Sequence, residues 1–431
     1  MMAPQQPNTH GEICVDLPTQ RDDDKRLLQR CLAGLTMAHY HYLIVGGGMT
    51  ADAAVQGIRD RDSNGSIGLV SAEPDPPYNR PPLSKGLWKG KPIDRIRRQT
   101  TEKGAQLHLG RTAVRLELPG KRIITDDGTV FTFEKLLLAT GGTPRRLPFG
   151  GEDILYFRTL EDYKQLRAWT NEKQRFAVIG GGFIGSEIAA ALATNGKAVT
   201  LVFPDEGIGA RLFPADLSRF LNEYYREHGV EVLPGHTVMD LRQTVSGWQL
   251  VLRHELSGDE KTVDVDGVVA GIGLVPNTTL AEESGLSVGD GIVVDELLRA
   301  GHPDVYAAGD VANFYNPALA MHVRFEHEDN ANAMGRCAGR NMAGDSSPYH
   351  HLPFFYSDLF DLGYEAIGLL NPDLETVTEW SEPFRKGVIV YLRDRQVRGV
   401  LLWNVWEKLD AARALIAKGE PFQPEDFKAL L

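Results

Sequence analysis

Short apolar runs alternate along the chain with stretches of helical period, and the alternation repeats. Residues 41–60, HYLIVGGGMTADAAVQGIRD, pass from an apolar strand at Tyr42–Val45 through three glycines into a helical pattern. Residues 66–73, SIGLVSAE, predict a second strand that ends on Glu73. The same series of strand, glycine turn and helix recurs at 175–196, RFAVIGGGFIGSEIAAALATNG, and a strand again follows in AVTLVFPDEG at 198–207. Residues 135–148, KLLLATGGTPRRLP, predict a buried strand that breaks at Ala139-Thr140-Gly141. Two more strands end in glycines, at 266–280 and at 302–313. The last 80 or so residues change character: FYSDLFDLGYEAIGLL, GVIVYLR and QVRGVLLWNV predict antiparallel strands, with a turn at Asp394-Arg395 and a closing helix over 406–418.

The glycine turns carry the first chemistry. Gly46, Gly48 and Ala51 fill the spacing of a dinucleotide-binding turn, and Gly180, Gly182 and Gly185 fill it again 134 positions later. The first glycine makes the tight turn, the second lets backbone approach a pyrophosphate, and the third small residue lets the helix pack against its strand. The helix N-terminus then offers unpaired N–H groups and the positive end of its dipole to the phosphates. Glu73 at the tip of the second strand is placed to bond an adenosine ribose, and Asp205 and Glu206 hold the corresponding place in the second unit. A carboxylate at Asp205 accepts from a ribose 2′-hydroxyl and repels a 2′-phosphate, which favours NADH over NADPH, with Arg211 nearby as an opposing charge. Asp310 follows Gly309 at the end of a strand, where open α/β sheets bind ligands. One loop stands apart. PPYNRPPLSK, residues 76–85, holds four prolines around Arg80 and ends on Lys85, a stiff frame that aims its basic residues.

Composition narrows the function classes. With 431 residues and 42% hydrophobic content, the chain can form two or three cored domains. A net charge of −12 argues against nucleic acid as the main partner, and no run reaches the ~18 apolar residues of a membrane span. Cys14, Cys31 and Cys337 form no C-x-x-C pair, and His350-His351 has no further ligand at metal spacing, so no metal site is expected. Residues 1–37 are expected to be a loose tail, with a short helix around Lys25–Leu35 and Met37 as an alternative start. That tail is polar and acidic and lacks an apolar region, which argues against targeting and for a cytoplasmic location.

Two fingerprints, an ATG strand and a late GD strand, in this order, resemble the pyridine-nucleotide–disulfide reductase fold. The RPPLSK loop, in place of vicinal cysteines, resembles the branch of ferredoxin and rubredoxin reductases and apoptosis-inducing-factor flavoproteins. GGGFIGSE, VRFEHEDNANAMGRCAGRNMAG (323–344) and YSDLFDLGYEAIG (356–368) are most similar to apoptosis-inducing factor. The chain departs from the pattern at Tyr356, where a tryptophan is frequent, and at Glu328, where a second histidine would follow His327. The resemblance implies an α/β fold of two Rossmann-like domains and a C-terminal α+β interface domain. FAD would bind to 38–152 with 278–350, and NAD(H) to 153–277; residues 351–431 would form the third domain.

It further implies Arg80 near the FAD phosphates or ribityl chain and Lys85 near the flavin N5 edge, paired with Glu187. Thr140, Gly141, Gly309, Asp310 and His327 would complete the FAD site. Ile184, Glu187, Arg211, Gly273 and Glu326 would join the second fingerprint around NADH. Phe183 would shield the flavin face. The implied activity is hydride transfer from NADH to FAD, then electron transfer to a ferredoxin-type carrier, a quinone or a small oxidant. Lys89, Lys91, Arg95, Arg97 and Arg98 could form a basic rim for an acidic carrier. The alternative is an NADH-sensing redox-signalling protein that acts through a long-lived charge-transfer complex and NADH-linked dimerisation or partner binding.

Overall fold

Strand Met37–Val45 carries Leu43 and Ile44 fully buried, and it occupies the place such a strand requires, the middle of a sheet. In the computed structural model, which describes residues 37–431, it lies between the parallel strands Val130–Leu138 and Ile67–Ser71. Val305–Ala307 extends this sheet on one side and Ala105–Leu109 on the other. The second parallel sheet runs in the order Val230–Leu233, Ala198–Val202, Arg175–Ile179, Gly267–Ala270, Ile154–Tyr156. A two-stranded link, Gly142–Pro144 against Leu274–Pro276, joins the two units at their crossing points. The C-terminal sheet is antiparallel and five-stranded.

Four elements differ from the expectation. The stretch 356–368 is a hairpin, Phe354–Leu359 and Leu362–Gly368, that turns at Phe360 with positive φ. Strand Glu375–Glu382 is an edge strand with little buried surface, so its apolar signal is faint. An antiparallel meander, His236–Thr244, Gly247–His254 and Glu260–Val265, covers the second sheet, and its polar outer face masked it in the sequence. The closing helix starts later than read, at Leu409. The helix read around Lys25–Leu35, with Cys14 and Cys31, lies outside the described residues.

Helix Met49–Arg59 packs on helix Glu328–Met342 at near backbone contact. A Cβ on Gly335 would stand 2.4 Å from the Thr50 carbonyl oxygen, and one on Gly339 would stand 2.1 Å from that of Ala54. This close approach carries His327, the N-cap of the second helix, toward the first glycine turn. The proline loop is anchored at the other end. Tyr78, Leu83, Leu87 and Trp88 are buried in the core of the second unit with Tyr163 and Leu166, so the loop leaves the first sheet and docks on its neighbour.

Candidate functional site

One continuous cleft of about 1140 Å³ runs between the two units and is lined by both glycine turns. Gly46 and Gly180 have φ of +128° and +115°, and a Cβ on either would strike the carbonyl of Ala139 or Gly271. Gly48 and Gly182 are different. A Cβ there would meet nothing within 4 Å, because these positions face the open cleft. Each is also an N-cap with no side-chain bond to the first helical N–H groups, so those donors remain for a ligand. The cleft is larger than a typical single-ligand pocket of roughly 300–1,000 Å³. Two facing phosphate cradles with acids at the following strand tips fit two dinucleotides.

Most residues read from the sequence line this cleft: Gly46, Gly48, Glu73, Arg80, Lys85, Thr140, Gly141, Asp310 and His327 among those assigned to FAD, and Glu326 among those assigned to NADH. Gly180, Gly182, Phe183, Ile184, Glu187, Asp205, Arg211 and Gly273 line its second half. Three do not reach the wall and act through packing. Ala51 is fully buried under the first turn. A Cβ on Gly185 would lie 1.8 Å from the Gly180 carbonyl oxygen, and one on Gly309, at φ +80°, would lie 2.2 Å from Thr50 Oγ1. Their smallness seats helices and turns; it does not face a ligand.

The charged residues are tied into networks. Glu73 accepts from Tyr78 Oη at 2.6 Å and from the Arg80 guanidinium, and Arg80 also donates to the Arg158 carbonyl at 3.0 Å. Arg80 is thus directed to Glu73 and the backbone, and Glu73 keeps lone pairs for a further donor. Arg158, unnoticed in the sequence, donates to Asp310 at 2.7 Å. Arg324, also unnoticed, bonds Glu326 at 2.6 Å and the Asp310 carbonyl at 3.0 Å. Arg211 reaches Asp205 at 3.3 Å and is otherwise 80% exposed.

Lys85 and Glu187 meet. Lys85 Nζ donates to Glu187 Oε1 at 2.6 Å, joining the proline loop to the second fingerprint helix. Ser84 Oγ donates to Oε2 and Ser357 Oγ to Oε1, each at 2.5 Å, so three donors from two segments converge on one buried carboxylate. Ser357 comes from the C-terminal sheet, within the stretch 356–368, whose resemblance assigned it no role. Lys85 Nζ also lies 5.2 Å over the Tyr356 ring, and Tyr356 Oη donates to Glu328 at 3.3 Å. The two departures from the family pattern are therefore in contact.

His327 stacks on Phe355 with centroids 4.4 Å apart and meets the edge of Phe183 at 5.9 Å. Burial among these rings pushes its pKa down to about 4, against the weaker upward pull of Asp310 and Asp329, so the imidazole is neutral at pH 7. Of the five basic rim residues, Arg98 turns inward to Asp52 at 3.2 Å, and Arg97 pairs with Asp94 at 3.4 Å. Lys89, Lys91 and Arg95 stay exposed, so the rim is smaller than the sequence suggested. His351 bonds Asp329 at 2.5 Å, a structural use of that histidine. Burial raises the Cys337 thiol to about 11, which leaves it unreactive at neutral pH.

Residues 40–335 match the family described as pyridine nucleotide-disulphide oxidoreductase. Residues 338–383 and 378–418 match the C-terminal domain described as apoptosis-inducing factor, mitochondrion-associated. The chain is 34% identical over 421 residues to "Apoptosis-inducing factor 1, mitochondrial" of Dictyostelium discoideum, covering 88% of this chain and 78% of that protein. It is 35% identical over 396 residues to the "5,5'-dehydrodivanillate O-demethylase ferredoxin reductase subunit" of Sphingobium sp. (strain NBRC 103272 / SYK-6), covering 89% and 94%. A solved structure of a covalent putidaredoxin reductase–putidaredoxin complex superposes with a TM-score of 0.83 at 28% identity, covering 91% of this chain and 99% of that one. Among the described residues no helix is long and apolar enough to cross a membrane.

Proposed function

The chain belongs to the pyridine nucleotide-disulphide oxidoreductase family, and on that premise we propose that it is an FAD-dependent NADH oxidoreductase that passes electrons to a ferredoxin-type carrier. The observation that carries this reading is the Lys85–Glu187 pair at the junction of two open phosphate cradles. FAD, when bound, supplies the hydride and single-electron chemistry. Everything else falls to the chain. The turn at Gly46 and Gly48 would receive the FAD pyrophosphate, while Glu73 and Asp310 accept from its sugar-like hydroxyls. The turn at Gly180 and Gly182 would hold the nicotinamide dinucleotide. Asp205 would select the 2′-hydroxyl of NADH, and Gly273, at φ +94°, lets backbone approach the nicotinamide ribose. Lys85 would hold a fixed positive charge at the reacting edge. Phe183, with the neutral His327 behind it, would cover the nicotinamide face and exclude water.

The reductase relatives support a ferredoxin-type acceptor, and exposed Lys89, Lys91 and Arg95 would suit an acidic one. The match of residues 338–418 to the apoptosis-inducing-factor C-terminal domain favours a second reading, in which NADH binding changes the surface and recruits a partner or a second copy. A cytoplasmic location is part of the first reading. Anaerobic stopped-flow reduction by NADH, followed by a panel of oxidants, tests both. Fast reduction with fast reoxidation by an iron–sulfur carrier is expected. A long-wavelength band that outlasts oxygen would support the second reading, and absence of bound flavin would refute both.

A further inference from the structure

A second cavity, of about 450 Å³, lies behind the Lys85–Glu187 pair and shares Ser84, Lys85 and Glu187 with the main cleft. The pair is therefore the partition between two spaces. The floor of this cavity is one face of helix Phe183–Thr194: Glu187, Ala190, Ala191 and Thr194 stand at i, i+3, i+4 and i+7. At 1.5 Å per residue this face runs about 10 Å, from a carboxyl 3% exposed to a threonine at the surface. Two alanines along it leave the room. The remaining wall is mixed: Trp88 and Phe360 supply apolar surface, with Asp358 near the inner end and Lys89, His228, Asp361 and Arg385 toward the mouth. A water needs room and two to four polar partners, and this cavity offers both along its length, from Glu187 and Asp358 to Lys89 and Asp361.

We propose that this second cavity is the proton exit of the enzyme, a water path from the Lys85–Glu187 pair to solvent. The inference rests on the reductase reading above. With one-electron acceptors the balance is NADH + 2 A(ox) → NAD⁺ + 2 A(red) + H⁺. The carriers take only electrons, so the proton that arrived with the hydride must reach water once per turnover. The nicotinamide face is covered by Phe183 and by the nucleotide itself, which leaves the Lys85 side. Lys85 Nζ gives a proton to Glu187 Oε1 along their 2.6 Å bond and is reprotonated from the cofactor side. Glu187 then yields that proton to cavity water, and no bond between heavy atoms changes. Ser84 and Ser357 are positioning residues that hold the carboxylate across the partition.

The test uses Ala190→Cys and treats the folded, flavin-loaded protein with methyl methanethiosulfonate, with the wild type treated in parallel. Peptide mass mapping should find the introduced thiol labelled under native conditions, a readout independent of turnover. Reduction by NADH should keep its unlabelled rate, because hydride transfer needs no solvent proton. Re-oxidation by ferricyanide, and proton release seen with a pH indicator, should slow together by about tenfold with a larger solvent isotope effect. Thr194→Cys at the exposed mouth, labelled with a benzyl reagent, serves if the Ala190 variant misfolds. A thiol at position 190 that stays unlabelled in the folded protein would overturn the proposal, and so would full labelling with unchanged re-oxidation. Failure of the wild type to accept hydride from NADH would overturn the reading on which it rests.

Discussion

Asp205→Ala tests the nucleotide preference at a point where the structure sets the magnitude. The carboxylate stands three residues beyond strand Ala198–Val202, on the cleft wall, with its side chain 36% exposed. A hydrogen bond from a ribose 2′-hydroxyl to this carboxylate would be charge-assisted and contribute about 1.5–3 kcal/mol, so its loss is expected to lower kcat/KM for NADH roughly 10- to 150-fold. A 2′-phosphate of charge about −2 at about 5 Å from this carboxylate is repelled by roughly 1–2 kcal/mol at near-aqueous dielectric. Removing the acid relieves that repulsion and frees Arg211, now 3.3 Å away, to meet the phosphate. The two effects shift the NADH/NADPH ratio of kcat/KM by about 100-fold or more. Asp205→Asn keeps an acceptor without the charge and is expected to shift the ratio less, and Asp205→Ala with Arg211→Ala should withdraw the NADPH gain. Steady-state kinetics with both nucleotides at one ionic strength reads all three. A ratio that moves less than about fivefold in Asp205→Ala would refute the assignment of this carboxylate to the ribose.

Other perturbations reach the packing and the charge network. Gly335→Val would set a Cβ 2.4 Å from the Thr50 carbonyl and force the two helices apart, at a cost of about 1–3 kcal/mol or more; the flavin-to-protein absorbance ratio should fall with the denaturation midpoint. Glu187→Ala strands the Lys85 ammonium and two serine hydroxyls, and about 3 kcal/mol of stability should go, with part restored in Glu187→Ala/Lys85→Met; urea midpoints of the loaded proteins compare them. His327 carries a pH signature. Its pKa is lower folded, about 4, than unfolded, about 6.5, so between these values the unfolded chain binds more protons and stability falls as pH drops through that window, by up to about 3 kcal/mol; His327→Gln should flatten this part of the stability–pH curve.

Much of this architecture is legible in the sequence because it is local. The turns at Gly46 and Gly180 need positive φ and close approach, and only glycine supplies both without a clash. The strands before them are runs buried on both faces, which periodicity detects directly. Where local signal is weak, reading fails. The polar-faced meander of 236–265 and the edge strand Glu375–Glu382 bury too little surface to mark themselves. Arg98 and Lys91 look alike in a charge run, yet Asp52 turns Arg98 inward and leaves Lys91 in water.

By itself, the sequence determined the two glycine cradles, the acids at their strand tips and the stiff loop that ends in Lys85, since each depends on neighbours within about twenty residues. Tertiary structure decided what those parts meet. Lys85 and Glu187 stand 102 positions apart, and Ser357 lies 170 from Glu187, so no spacing rule brings them together. The docking of the loop onto the second core, and of the C-terminal sheet onto the fingerprint helix, places three donors on one buried carboxylate and leaves a second cavity behind it. Such contacts arise from how sheets and helices pack, a property of surfaces brought together and not of any one segment.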